Sequence, residues 1–140
     1  MKLVYPTFIK KDGKDYLVFV PDMEIFTEGK DFCDAIEMAR DAIGLKALDY
    51  EDRKMAYPSA SDAEKAKSLA KAEADDDFDF SDGTLTFVDV DTVAYKNKVR
   101  NLSVKKNCTI PAWLNDKAEA QGVNFSRVLQ DALVSIVGTD

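Results

Sequence analysis

Histidine is absent from the 140 residues of the chain. Its absence excludes Ser-His and Cys-His nucleophile pairs, a histidine general base and every histidine-containing zinc site. Cysteine is scarce: Cys33 and Cys108 lie far apart. Both occupy apolar-patterned positions and are expected to be buried free thiols. No uncharged apolar run approaches the ~20 residues of a membrane span. Met1 leads straight into the strand-like KLVYPTFI, with no apolar segment behind a basic start, so no signal peptide is read. The expectation is a soluble, cytoplasmic protein with no membrane contact. There is no phosphate-binding glycine loop and no nucleophile motif. The sequence therefore assigns no catalytic residue, no metal and no cofactor.

Acid is what the chain has in excess. It carries 26 acidic and 19 basic side chains, for a net charge of −7. The excess is confined to one part. Residues 1–97 hold 13 basic and 22 acidic side chains, a balance of −9, whereas residues 98–140 hold 6 and 4, a balance of +2. The sign changes at Tyr95-Lys96-Asn97-Lys98, and a domain boundary is expected there, giving 1–97 and 98–140.

The first region reads as an α+β unit. Lys2–Ile9 and Tyr16–Val20 are β-rich, and Asp12-Gly13 between them is a turn dipeptide, so the pair predicts a hairpin. EIFTEG (24–29) predicts a third strand. DFCDAIEMARDAIGL then repeats apolar residues at helical spacing, with Phe32, Ile36, Ala39 and Ile43 on the stripe. Asp31 is its expected cap and Gly44 its expected stop. Tyr50–Pro58 is expected to be irregular, and Ser61–Ala74 helical. Residues 84–95 alternate with slips of phase, and one long strand is expected, bulged near Val88. The order is β-β-β-α-(α)-β, with helices on one face of a sheet.

The second region begins with an alternating stretch. Leu102, Val104, Cys108 and Ile110 fall on one face, and Ser103, Lys105, Asn107 and Thr109 on the other, with Lys106 the exception on the apolar side; this predicts a strand. Pro111 suits the first position of a helix. Leu114 and Ala118 continue an apolar stripe, and Gly122 is expected to end that helix in a left-handed cap. Asn124 should cap a second helix carrying Phe125, Val128, Leu129, Ala132, Leu133, Ile136 and Val137. About 40 residues make no adequate core alone, and a lone strand has an open edge. Two copies solve both problems by pairing strands and interlocking helices. A homodimer is expected, with Val104, Cys108, Ile110, Leu114, Phe125, Val128, Leu129 and Leu133 in its core.

This strand-helix-glycine-cap-helix order resembles a ribbon-helix-helix repressor domain. The resemblance implies operator DNA as a partner, with the paired strands in the major groove. It makes Lys105, Asn107 and Thr109 the base readers, suited to guanine, adenine and either edge or a thymine methyl respectively. It makes Asn124, Phe125 and Ser126 the phosphate holders through the helix start, with Arg127 nearby.

The first region carries Tyr5-Pro6, Asp12-Gly13, Tyr16, Phe19, Pro21-Asp22, Thr27, Gly29, Ala35, Ala39 and Ala42, with Tyr57-Pro58-Ser59 further on. In that order they resemble HicB antitoxins, some of which end in a ribbon-helix-helix tail. The resemblance implies a partial RNase H-like fold for 1–97. It also implies a HicA-type partner: a small, basic, RNA-cleaving toxin. An acidic domain complements such a surface by steering and charge matching. The run Asp75-Asp76-Asp77-Phe78-Asp79-Phe80 offers acids with interleaved aromatics. Asp76, Asp77, Phe78, Asp79 and Phe80 are therefore candidates for gripping the toxin.

Competing readings are weaker or remain open. An active nuclease would need clustered carboxylates for two metal ions; Asp12, Asp15, Asp22 and Glu24 are available, but such residues are ordinary in turns of an acidic domain. A calcium loop from Asp77 fails, because glycine arrives one residue late and position twelve is Val88. A stand-alone repressor whose front domain senses a ligand or another protein remains the alternative. Assembly of dimers into tetramers is left open.

Overall fold

The computed structural model describes residues 1–100 and 103–138. It divides into two compact units, Met1–Leu102 and Ser103–Asp140. Lys98 and Arg100, which follow the change of charge sign, lie in a helix of the first unit.

The Asp12-Gly13 turn closes a tight hairpin in the first unit. β1 (Lys2–Asp12) and β2 (Asp15–Val20) pair antiparallel, and Asp12 faces Asp15 across the turn. A 3-10 turn at Pro21–Met23 leads into β3 (Ile25–Gly29). β4 (Thr84–Asp91) returns along the other side of β1, giving the antiparallel order β3-β2-β1-β4. The β1–β4 register runs without a break from Lys2↔Asp91 to Ile9↔Thr84. The bulge expected near Val88 is therefore absent. The slip of phase has another cause: Val88 and Val90 face one core cluster while Leu85 faces a second, on the opposite side of the sheet. Nor does the strand continue to residue 95. It ends at Asp91, whose carboxylate accepts the amides of Val93 and Ala94 and starts α3 (Thr92–Arg100).

α1 spans Phe32–Asp52, capped by Asp31, whose Oδ1 accepts the Asp34 amide at 2.7 Å. It runs through Gly44 rather than stopping there, and it absorbs Tyr50, Glu51 and Asp52 from the stretch expected to be irregular. Gly44 is a notch, not a terminator. A Cβ at that position would lie 2.6 Å from Cδ2 of Tyr95, because the Tyr95 ring of α3 rests there. α2 (Ala63–Glu73) is capped by Asp62.

Helices on one face only were expected; the sheet is covered on both. On one side Ala35, Ala39, Ile43 and Ala47 of α1 pack with Leu3, Tyr5, Ile9, Val18, Val20, Val88 and Val90. On the other, Ala66 and Ala70 of α2 pack on Phe8 and Phe19. Two-sided burial explains why Tyr5-Pro6-Thr7-Phe8-Ile9 is buried throughout, as a continuous apolar run permits and strict alternation does not. Cys33, expected to be buried, is exposed. It lies in the first turn of α1, one residue off the stripe formed by Ala35, Ala39 and Ile43.

In the second unit α4 (Ala112–Ala120) and α5 (Phe125–Val137) flank a left-handed glycine. Gly122 sits at φ +69. Its amide reaches the carbonyl of Glu119, and the Val123 amide that of Ala118, a paired arrangement that closes the end of α4. Pro111 is the residue before α4 rather than its first. The strand expected from Leu102 to Ile110 has no ladder in the single chain: residues 103–110 are assigned neither strand nor helix, and Leu102 lies outside the described residues. An extended segment with no neighbouring strand has nothing to pair with. Cys108 is exposed for the same reason. Among the described residues no helix is long and apolar enough to cross a membrane.

Candidate functional site

Two surfaces stand out, one in each unit. The tail surface is a groove of about 670 Å³. Cys108, Ile110, Leu114, Phe125, Val128 and Leu129 line it, all of them assigned from sequence to a dimer core. Val104 and Leu133 are not part of its lining; Val104 is 78% exposed. The groove also takes in Lys106, Ala118, Val123 and Ala132. Ala118 and Ala132 belong to the apolar stripes and could have been added on periodicity alone. Lys106 could not, since its charge breaks the pattern. Along α5 Phe125, Val128, Leu129, Leu133, Val134, Ile136 and Val137 are all exposed in the single chain. So much contiguous apolar surface is rarely left to water.

Lys105, Asn107 and Thr109 are exposed on the segment before α4 that is neither strand nor helix. At the start of α5, Asn124 Oδ1 accepts the Arg127 amide at 3.1 Å. That bond takes up one of the amides an anion would use, and leaves those of Phe125 and Ser126 pointing out of the helix start. The Arg127 side chain lies 3.8 Å from Asp131 in an exposed i,i+4 pair, a weak restraint.

The front surface is the acidic loop before β4. Asp75 Oδ1 accepts the amides of Asp77 and Phe78, and Asp79 Oδ1 accepts that of Ser81. The Ser81 hydrogen bonds, to side chain and backbone, hold the Asp79 carboxyl below its usual range. Lys10 of β1 fastens the loop: its Nζ donates to the Asp79 carbonyl at 2.9 Å, meets Asp82 at 2.6 Å and lies 4.7 Å from the centre of the Phe78 ring. Phe80 turns inward, its ring tilted against Phe19 at 5.4 Å and Phe26 at 6.2 Å. Of the five residues singled out here, Asp76 and Asp77 are exposed and Phe78, Asp79 and Phe80 half-buried. The Lys10 fastening was missed from sequence because it joins residues far apart in the chain.

The four carboxylates weighed for metal chemistry are not gathered. Asp12 and Asp15 sit at the hairpin tip, while Asp22 lies beyond the far end of β2. Asp22 holds the start of α2, accepting the Ser61 hydroxyl and, at 2.9 Å, its amide. Among the described residues no group of three potential ligands could hold a metal ion.

A family described as HicB-like antitoxin of bacterial toxin–antitoxin systems matches residues 5–132, across both units. The chain belongs to the HicB-like antitoxin family. A chain of a toxin–antitoxin complex from Streptococcus pneumoniae is similar, at 26% identity and a TM-score of 0.59, over 96% of this chain and 99% of that one. The antitoxin HicB of Burkholderia pseudomallei shares the fold, at 20% identity and a TM-score of 0.50, over 96% of this chain and 98% of that one. No curated protein matches. The HicB-like assignment places the mixed sheet-and-helix front and the two-helix tail in one family pattern.

Proposed function

We propose that this chain is the antitoxin of a HicA-type toxin, masking that small, basic RNA-cleaving protein with its acidic front unit, and that its tail dimerises as a ribbon-helix-helix to repress its own operon. The split of charge carries the first half. The −9 balance of residues 1–97 steers a basic partner to the front and keeps nucleic acid away from it. The similar chain from a toxin–antitoxin complex supports a protein toxin as that partner. The mechanism is stoichiometric occlusion, with no chemistry on the antitoxin. In the tail, two copies of the extended segment supply each other's ladder and bury the exposed stripe of α5. Lys105, Asn107 and Thr109 then face outward to base edges, and the free amides of Phe125 and Ser126 face a phosphate.

The test is co-expression with the short, basic, histidine-containing reading frame beside this gene, chosen because it halts growth alone. Restored growth with co-purification of the two proteins is the expected result. Continued arrest with no complex refutes the masking role and leaves the tail as that of a stand-alone repressor.

A further inference from the structure

Lys106 breaks the apolar side of the segment before α4, and an apolar dimer core has no use for it. In the tail groove it stands with Glu119. Among the described residues these two are the only charged side chains of the lining, one of each sign. Both are exposed in the single chain, and neither forms an ion pair among the described residues. Around them Ile110, Leu114, Phe125 and Leu129 make the lining apolar. A second copy that covers this groove takes both charges out of water. A covered ion without a counter-ion is strongly destabilising, whereas a matched pair does no better than apolar side chains of the same volume. Lys106 therefore adds little to the strength of a dimer. Its charge acts on which dimer forms.

The period of two limits the choice. Val104, Lys106, Cys108 and Ile110 share one face, so a two-fold ribbon that keeps this face inward has its axis at a residue and not between residues. An axis at Lys106 sets the two ammonium groups directly opposite each other, and like charges in that position repel. An axis at Cys108 sets Lys105 opposite Pro111, which has no amide to give to a ladder, and runs the ribbon into α4. An axis at Asn107 avoids both faults. It pairs Val104 with Ile110 and Lys106 with Cys108, and it leaves the two ammonium groups diagonal to each other.

We propose that Lys106 is the register-determining residue of the tail dimer. Its ammonium pairs with the Glu119 carboxylate across the groove as a second copy closes it, and its charge bars the slipped ribbon centred on itself. The inference rests on the tail pairing proposed above and adds to it the one register, centred on Asn107, in which Lys105, Asn107 and Thr109 are disposed symmetrically about the axis.

The experiment measures the dimer dissociation constant of the full-length chain by sedimentation equilibrium, with Glu119→Gln, Lys106→Met, both together, and the exchange of charges Lys106→Glu with Glu119→Lys. Glu119→Gln is expected to weaken the dimer about tenfold or more when Lys106 is present and less than about twofold beside Lys106→Met, the mark of two coupled side chains. The double variant, with no charge left to bury, is expected to pair at least as tightly as the native chain and serves as the control for folding. The exchanged pair is expected to return to within about threefold of native. In a Cys33→Ser, Cys108→Ser background, Asn107→Cys is expected to oxidise to a disulfide-linked pair under copper phenanthroline, and Thr109→Cys, set opposite Lys105, is not. Equal weakening by Glu119→Gln in both backgrounds overturns the ion pair. Linkage through Thr109→Cys in place of Asn107→Cys overturns the register. A native chain that stays monomeric overturns the tail pairing itself, and this inference with it.

Discussion

Replacing Gly44 with alanine tests whether α3 is held by shape. In an exposed helix interior, glycine to alanine stabilises by about 1 kcal/mol. Gly44 is fully helical, so that gain is available. Against it stands the Tyr95 ring, with Cδ2, Cε2 and Cγ only 2.6–2.7 Å from the added Cβ. Carbon atoms settle at about 3.5–4.0 Å, so the ring has to withdraw by about 1 Å. Withdrawal stretches the 2.9 Å bond from the Tyr95 hydroxyl to Asp41. Overpacking costs about 1–3 kcal/mol, and a net hydrogen bond is worth about 1 kcal/mol. The sum is a net loss of about 1–3 kcal/mol, at roughly 4–8 °C in Tm per kcal/mol for a unit of about 100 residues. Melting curves of Gly44→Ala, Tyr95→Ala and the double variant separate the terms. With the ring gone, alanine should stabilise by about 0.5–1 kcal/mol. A Gly44→Ala protein as stable as the native one, in the presence of Tyr95, refutes the notch.

Burial, with the Asp41 carboxylate beside it, pushes the Tyr95 hydroxyl up to about 12, and burial with the Glu51 hydrogen bond does the same for Tyr57. The folded protein holds these protons more tightly than the unfolded one, so stability is level below about pH 10 and falls between about 10 and 12; ultraviolet titration of phenolate, with urea melts across that range, checks it. Phe8→Ala removes a fully buried ring and should cost about 3–5 kcal/mol by urea denaturation. Lys105→Ala with Asn107→Ala should abolish preference for the operator over random DNA in a gel-shift assay while the dimer persists; retained preference refutes the strand assignment. Charge reversal at Asp76, Asp77 and Asp79 should weaken toxin binding at least tenfold by calorimetry, and unchanged affinity removes this loop from the interface.

The elements with local causes were legible in sequence. Asp12-Gly13 marks its turn, and Asp31 and Asn124 cap their helices with their own side chains. Features decided by distant contacts were not. Gly44 looks like a stop signal until Tyr95 is seen to occupy it. The apolar slip after Phe87 looks like a bulge until α2 is seen on the second face of the sheet. Val93 and Tyr95 look like strand residues because they stand two apart, but in α3 that spacing separates them: Tyr95 packs on Gly44 and Val93 is exposed. The tail stripe was readable from its period, but the strand before it has no meaning within one chain. The Lys10 fastening of the acidic loop depends on β1 passing beneath it, and nothing local announces that.

The pairing of Lys2 with Asp91 also sets a schedule for synthesis. β1 lies in the middle of the sheet, yet one of its neighbours is made last. At about 5–20 residues per second, β1 waits on the order of 4–18 s for β4 to be translated. During that time the edge it will give to β4 is bare. A message cut before the codon for Thr84 yields no partly working front unit, because the central strand of its sheet is left half-paired. Supply of the intact domain is thereby tied to translation as far as Asp91, about two-thirds of the 140 codons.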